Sequence, residues 1–260
     1  MRICLILEYD GTGFNGWQSQ PNKNTVQDYL NDALALIACH AVTTIAAGRT
    51  DTGVHALSQV VHFDTVTERP MSAWVRGVNA HLPATIRVQR AQMVDNQFHA
   101  RFDAHQRSYQ YLLVNSPVAP AVLASKVGWY HSPLNIEPMQ EAISYLQGEH
   151  DFSAFRASSC QAKSPIKTMH KSTVTQQGHC YLFEFTASAF LHHQVRNMVG
   201  ALVYVGNGKQ APQHIPHLLQ QQDRTVSPPT FSPAGLYLTG VGYDTKWGLP
   251  NLTRQLILAI

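Results

Sequence analysis

The sequence lacks the features of a membrane, secreted or zinc-binding protein. No apolar run reaches the roughly 18 residues that a membrane span requires, and the start, MRICLILEYD, contains no hydrophobic signal segment. The four cysteines, Cys4, Cys39, Cys160 and Cys180, include no C-x-x-C pair, which argues against a zinc site and a disulfide framework. We therefore expect a cytoplasmic protein without a bound metal or membrane contact, whose thiols are reduced and mostly buried.

Acidic residues are almost missing from one part of the chain. Residues 152–222 contain one acid, Glu184, against six lysines and arginines, whereas residues 1–151 contain 13 acids against 10. This asymmetry predicts a positive potential in the second half that follows RNA phosphates. The predicted RNA contacts are Arg156, Lys163, Lys167 and Lys171. Two alternatives stay open, a solvated basic face and an RNA track over Arg76, Arg87, Arg90 and Arg101.

Strand-like and helix-like patterns follow one another along the 260 residues without repeats. The patterns predict strands at Arg2–Tyr9, Thr43–Ala47, Gln59–Phe63, Arg107–Asn115 and Gly235–Tyr243, helices at 25–38, Ile136–Gln147 (stopped by Gly148) and Leu191–Val205, and a hairpin joining Lys171–Thr175 to Tyr181–Thr186. Hairpins and helices without regular βαβ alternation favour an α+β class with mostly antiparallel sheets. We predict two halves, 1–104 and 105–260.

One loop carries a candidate catalytic acid. In AAGRTDTGVHA, residues 46–56, Asp51 stands between two glycines, with Arg49 before it and His55 after it. Asp51-Thr52-Gly53 is also the triplet of aspartic proteases, but that reaction needs two carboxylates and the chain has one such triplet, so a dimer would have to supply the second. An ordinary turn aspartate is the other alternative.

Motifs along nearly the whole chain resemble those of the tRNA pseudouridine synthase A family. The loop at residues 48–56 resembles the family's GRTDAGVHA, with Thr52 in place of the usual alanine. The other matching segments occur in the same order: Tyr9-Asp-Gly-Thr-Gly-Phe-Asn-Gly-Trp-Gln18, Thr25-Val-Gln27, Gln59-Val-Val-His-Phe-Asp64, Arg107-Ser-Tyr-Gln-Tyr111, Gly148-Glu-His-Asp-Phe152, Phe190-Leu-His-His-Gln-Val-Arg-Asn-Met-Val-Gly200 and Gly235-Leu-Tyr-Leu238.

The resemblance implies a pseudouridine synthase fold, with two similar α/β halves around a central catalytic cleft. It implies an isomerase that converts uridine to pseudouridine at positions 38 to 40 of the tRNA anticodon arm, without a cofactor, as a homodimer. A paired base is out of reach of the protein, so the target nucleotide is expected to flip into the pocket. Asp51 is the expected catalytic residue; whether it attacks C1′, attacks C6 or removes a sugar proton stays open.

Further site residues follow from the same resemblance, each with an ordinary structural alternative. Tyr109 is expected to stack on the flipped uracil and to accept its C5 proton, Arg196 to pair with the catalytic aspartate, and Leu236 to pack over the base. Arg49 is expected to hold a phosphate or to help extrude the base, and His55 is assigned with it to substrate binding. A plain RNA-binding module is the competing function, although it gives no reason for the acid.

Overall fold

The computed structural model describes residues 1–250 and 253–256 of the chain. They form two compact units, Met1–His105 together with the residues from Tyr237 onward, and Gln106–Leu236. The predicted halves divide near the same point, at 104, but the last strand differs in its assignment. Its residues from Tyr237 onward belong to the first unit, in which Tyr237 and Leu238 pair in parallel with His55 and Ala56.

The described residues contain ten strands and five α-helices. The strands are β1 (Arg2–Tyr9), β2 (Ile45–Ala46), β3 (His55–Asp64), β4 (Ile86–Val94), β5 (Ala104–Asn115), β6 (Gly128–Tyr130), β7 (Gly148–Asp151), β8 (Ile166–Gln177), β9 (Cys180–Ala187) and β10 (Leu236–Tyr243). The helices are α1 (Val26–Ala38), α2 (Val78–His81, preceded by a π-helical turn, Ala73–Gly77), α3 (Ile136–Ser144), α4 (Gln194–Gly206) and α5 (His214–Gln221).

In the first unit, β1 lies between β4 and β3 and is antiparallel to both, while β10 pairs with β3. Apolar residues along β1, such as Leu5 and Leu7, are fully buried in the core. Helix α1 starts at the predicted place because Thr25 accepts the N–H of Asp28 and the Asp28 side chain accepts the N–H of Thr25. The strand and helix predictions at residues 2–9 and 25–38 are confirmed.

In the second unit, β5, β9, β8 and β7 form consecutive antiparallel pairs, and β6 pairs in parallel with β5. The predicted hairpin is confirmed as β8 and β9, which continue further than predicted to a two-residue connection at Gly178 and His179. Helix α4 is buried almost all round, and a Cβ on Gly200 would lie 2.5 Å from the Pro229 carbonyl oxygen. Mostly antiparallel pairing in each unit confirms the α+β class.

Some sequence expectations were wrong in detail. The strand expected at Thr43–Ala47 is reduced to β2, and α3 ends at Ser144 rather than at Gln147. Gly148 does not stop α3; with φ of 100° it starts β7. Only two cysteines, Cys4 and Cys180, are buried, because the other two lie at a helix end and in a loop. Across residues 1–250 and 253–256, every helix is too short or too polar to cross a bilayer.

Candidate active site

Asp51 lies half-buried in the irregular loop between β2 and β3, which we call the acid loop, residues 47–54. Hydrogen bonds join this loop to the strand that follows it. The N–H of Ala47 donates to the Val60 carbonyl at 2.8 Å, and Gln59 Nε2 donates to the Gly48 carbonyl at 2.8 Å. The acid loop is therefore held by its own sheet, although it has no regular secondary structure.

The glycine-rich segment after β1 fixes the other side of the acid loop. The N–H of Trp17 donates to the Thr50 carbonyl at 3.0 Å, and the Tyr9 hydroxyl lies 2.8 Å from Thr50 Oγ1. Burial raises the pKa of Tyr9 to about 12, although its hydrogen bonds to Thr50 and Gln59 oppose that shift, so the phenol stays neutral. The backbone beside Asp51 is thus held on both sides.

Two glycines permit this close approach. A Cβ on Gly11 would lie 2.0 Å from the Val54 carbonyl oxygen, far inside van der Waals contact. A Cβ on Gly16 would lie 2.8 Å from the Thr50 carbonyl oxygen, and the φ of Gly16, 80°, also favours glycine. The spacing of glycines in the segment Tyr9 to Gln18 therefore has a packing cause.

His55 begins β3 directly after the acid loop and is 2% exposed. Its Nδ1 lies 3.0 Å from the Gly11 N–H and 3.0 Å from Asp10 Oδ1. The neutral ring accepts the Gly11 N–H at this nitrogen, whereas a ring protonated there pairs with Asp10. The imidazole also stacks on Tyr237, with the ring centroids 4.6 Å apart. These contacts give His55 a role in holding the acid loop; its assignment to substrate binding stays a prediction.

Arg49 and Asp51 occupy the same short loop with different exposure. Arg49 is exposed and Asp51 is half-buried, and Thr52, which replaces the family's alanine, is exposed. An arginine at the surface of this loop is accessible to an RNA phosphate, and its planar guanidinium suits bidentate binding of one. The two side chains therefore offer a cation and a carboxylate from one loop.

Tyr109 lies on β5 in the second unit and is half-buried. Its ring meets Phe190 edge-on, with the centroids 5.1 Å apart. Strand pairing places Tyr109 opposite Phe185 of β9, which is fully buried. The sheet therefore fixes the backbone of Tyr109, and its ring is not part of the closed core.

Arg196 lies in the first turn of α4 and is half-buried. Its Nε donates to the Phe231 carbonyl at 2.9 Å, and the Phe231 N–H donates back to the Arg196 carbonyl at 3.3 Å. The residue before α4, His193, has a left-handed φ of 62°, which is uncommon for a residue other than glycine. The Phe231 carbonyl thus holds the Arg196 side chain, whereas α4 starts without a side-chain cap from His193.

Leu236 is 5% exposed and lies at the first position of β10. Its N–H donates to the Pro233 carbonyl at 2.9 Å, which ends the preceding turn. The structure thus brings Arg49, Asp51 and His55 together in the first unit, while Tyr109, Arg196 and Leu236 belong to the second unit.

The four predicted RNA-binding cations differ in how strongly their charges are already used. Lys171 Nζ forms an ion pair with Glu184 at 2.8 Å. Arg156 donates to the carbonyls of Cys160 and Ala162, so it holds its own loop. Lys167 Nζ donates to two carbonyls, and Lys163 is exposed. Burial lowers the pKa of Lys167.

Sequence reasoning missed the groups that support the acid loop. Tyr9, Thr50 and Gln59 are buried and join β1, the acid loop and β3 through hydrogen bonds. A signal for one of them was present, because Gln59 is a polar residue at the start of the apolar run Val60, Val61. A buried amide of this kind needs a specific partner.

A half-buried carboxylate in a loop that hydrogen bonds hold fits an enzyme better than a plain binding module, which has no use for the acid. The family model described as "tRNA pseudouridine synthase" matches residues 5–103 and 142–244. The chain belongs to this family.

Curated relatives cover the chain from end to end. A protein of Methylobacillus flagellatus named "tRNA pseudouridine synthase A" is 65% identical over 260 residues, which is 100% of both chains. Proteins of the same name from Dechloromonas aromatica and Chromobacterium violaceum are each 56% identical, and these matches cover 96% of this chain and 96% of each relative. The resemblance found in the motifs is therefore confirmed over the full length.

Proposed function

We propose that this protein isomerises uridine to pseudouridine in tRNA, in the anticodon stem-loop at positions 38 to 40. The observation that carries the proposal is the acid loop, in which hydrogen bonds and close glycine contacts hold the backbone around Asp51. A reacting carboxylate must be positioned within a fraction of an ångström, and this loop is built to do that. Relatives named tRNA pseudouridine synthase A support the same reaction.

The reaction breaks the bond between uracil N1 and the ribose C1′ and forms a bond between C5 and C1′. The C5 proton is lost to a base and N1 gains a proton, so atoms and electrons balance without an added cofactor. Charge develops at the sugar as the first bond breaks, and the Asp51 carboxylate is the group that stabilises or captures the reacting centre. Attack at C1′, attack at C6 and removal of a sugar proton are three routes that this carboxylate can serve.

Three residues of the second unit are assigned supporting roles. Tyr109 stacks on the flipped uracil and accepts the C5 proton, a role supported by a half-buried ring held edge-on to Phe190. Arg196 orients the catalytic carboxylate through its guanidinium, whose Nε is already fixed on the Phe231 carbonyl. Leu236 packs over the base.

Arg49 binds a phosphate or helps extrude the base, and His55 assists substrate binding by holding the acid loop. The cations Arg156, Lys163, Lys167 and Lys171 contact tRNA phosphates. Lys163 is the strongest candidate, because it is exposed and Lys171, also exposed, already pairs with Glu184. The protein acts in the cytoplasm as a homodimer.

The test is release of tritium from tRNA that carries the label at uracil C5. A synthase releases the label as C5 joins the sugar, whereas a plain RNA-binding module or a protease releases none. Mapping the pseudouridines in the product tRNA then tests the anticodon positions separately from the chemistry. If tritium is released but the pseudouridines lie outside positions 38 to 40, only the assigned positions are contradicted and the reaction stands.

A further inference from the structure

Phe102 is an exposed aromatic side chain on a rigid loop. It lies in the first unit, outside the acid loop, and its side chain is 76% exposed although its neighbour Phe98 is fully buried. Its ring stacks on His99, with centroids 4.2 Å apart and planes 28° from parallel. The guanidinium of the exposed Arg101 lies 5.7 Å from the centroid of the same ring.

Side chains fix the backbone that carries this ring. The backbone N–H groups of Arg101 and Phe102 both donate to His99 Nδ1 at 3.2 Å, so in the neutral ring the proton lies on Nε2. The backbone N–H of His99 donates to Asp103 Oδ2 at 2.7 Å, which closes the turn.

Buried groups hold the same turn from below. The Ala100 N–H donates to His62 Nδ1 at 3.0 Å, and the Tyr243 hydroxyl donates to the Ala100 carbonyl at 2.6 Å. Burial, together with the charges of Arg2 and His99, lowers the pKa of His62 to about 4, against the opposing charges of Asp64 and Asp103, so His62 accepts this bond as a neutral ring. The turn is thus ordered before any ligand arrives.

We infer that His99, Arg101 and Phe102 form a stacking platform for an unpaired base of the RNA. His99 stacks on the Phe102 ring and the Arg101 guanidinium lies over it, while Phe102 stays 76% exposed on a backbone that hydrogen bonds fix. An unpaired base presents a π-face to such a ring, and an adjacent cation meets the phosphate charge of the same strand. A preordered ring costs little entropy when the base binds.

The partner is RNA rather than a second copy of this chain because of the charge beside the ring. The exposed guanidinium over the aromatic ring suits the phosphate of an unpaired strand, whereas a second copy of this chain carries a net charge of +3 at pH 7. The inference rests on the proposed function for its ligand, but it concerns binding and not the isomerisation itself.

The experiment measures the affinity of Phe102 variants for unmodified tRNA and for its isolated anticodon arm. Phe102→Ala and Phe102→Leu are expected to bind roughly 5- to 150-fold more weakly, since they lose the π-face, while Phe102→Tyr and Phe102→Trp keep the affinity. The salt dependence of binding stays unchanged in all four because no cation is removed. Val66→Ala, at an 88% exposed apolar residue of the same unit, is the matched control and binds as the wild type does.

Arg101→Gln tests the cation separately. It is expected to reduce the slope of log K against log salt by about 0.7 to 0.9, which is the contribution of one phosphate contact. Wild-type affinity in Phe102→Ala overturns the platform, and so does a loss of self-association in Phe102→Ala by sedimentation without RNA. An unchanged slope in Arg101→Gln overturns the role of the cation. All affinities are measured again in an Asp51→Ala background, in which binding is measured without turnover. A wild-type protein that binds tRNA but releases no tritium disproves the proposed function and leaves the platform standing.

Discussion

Gly11 and Val54 are in such close contact that a Cβ on Gly11 would lie 2.0 Å from the Val54 carbonyl oxygen. Val54 closes the acid loop, since its N–H donates to the Asp51 carbonyl at 3.1 Å. The position of the carboxylate therefore depends on a glycine that lies outside the acid loop.

Gly11→Ala is expected to displace the acid loop, because backbone and not a flexible side chain opposes the new methyl group. Overpacking of this kind costs about 1–3 kcal/mol of stability or more, and the turnover number should fall further than the tRNA affinity. Gly48→Ala, within the acid loop itself, is the matched control, since a Cβ on Gly48 would meet nothing within 4 Å. Steady-state kinetics and thermal unfolding of both variants check this; equal kinetics would show that the contact does not position Asp51.

Asp51→Ala and Asp51→Asn remove the proposed reacting carboxylate. Pseudouridine formation should fall by roughly 10⁴-fold or more, while the fold and the tRNA affinity stay close to the wild type. Single-turnover tritium release with saturating enzyme measures the rate of the chemical step independently of the affinity for tRNA. An alanine variant that keeps a tenth of the wild-type rate would be incompatible with the proposed role.

Tyr109→Phe and Tyr109→Leu separate stacking from proton transfer. The phenylalanine keeps the ring edge-on to Phe190 but loses the hydroxyl, so tRNA affinity should persist while release of the C5 proton stalls. The leucine loses the ring, and holding of the flipped base should weaken by about 1–3 kcal/mol. Affinity and tritium release are measured for both; a leucine variant like the wild type would exclude both roles.

The lysines of the second unit should contribute unequally to the salt dependence of tRNA binding. Lys163→Gln removes an exposed charge, whereas Lys171→Gln removes one that already pairs with Glu184 at 2.8 Å. Each free phosphate contact contributes a slope of about −0.7 to −0.9 in log K against log salt. We expect the slope to flatten for Lys163→Gln and to change less for Lys171→Gln. The reverse order would mean that the Glu184 pair opens when RNA binds.

Stability should fall in acid as His62 becomes protonated. The pKa of His62 is lowered to about 4 by burial first and by Arg2 and His99 next, whereas an unfolded histidine titrates near 6.5. Between these two pKa values the unfolded state binds the extra proton, so stability present above about pH 6.5 is lost as the pH falls toward 4. The loss is up to about 3 kcal/mol.

Urea unfolding at several pH values checks this dependence. His62→Gln should flatten the curve between about pH 6.5 and 4, and His179→Gln, at an exposed histidine in the β8–β9 connection, should leave it as in the wild type. Parallel curves for the wild type and His62→Gln would mean that another group carries the acid sensitivity.

Local patterns predicted those elements that depend on local causes. The capping box at Thr25 and Asp28 fixes the start of α1 from four consecutive residues, and the β8–β9 hairpin follows from alternation around Gly178. Strand β10 was found too, but not its pairing with β3, because register across distant strands leaves no local signal. Strand β4 was not predicted, because its apolar/polar alternation slips at Arg90, where its pairing with β1 also shifts register.

In the candidate site, too, the sequence predicted the features with a local cause and not those that depend on distant residues. Asp51 was recognisable because glycines and an arginine surround it in one short loop. The hydrogen bond between Tyr9 and Thr50 joins residues 41 positions apart, so only the folded chain reveals it. The pairing of Lys171 with Glu184 was equally invisible, because it depends on the register between β8 and β9, in which Lys171 lies opposite Thr186 and next to Glu184.

The return of β10 to the first unit also has a consequence for synthesis on the ribosome. Strand β3, which contains His55 and Ala56, is made early. Their partners in β10, Tyr237 and Leu238, are made only after the whole second unit. At about 5–20 residues per second, the edge of β3 that β10 later covers stays open for many seconds, although β1 already pairs with the other edge. An open strand edge invites wrong pairing, so the acid loop next to His55 gains its final support only when translation is nearly finished.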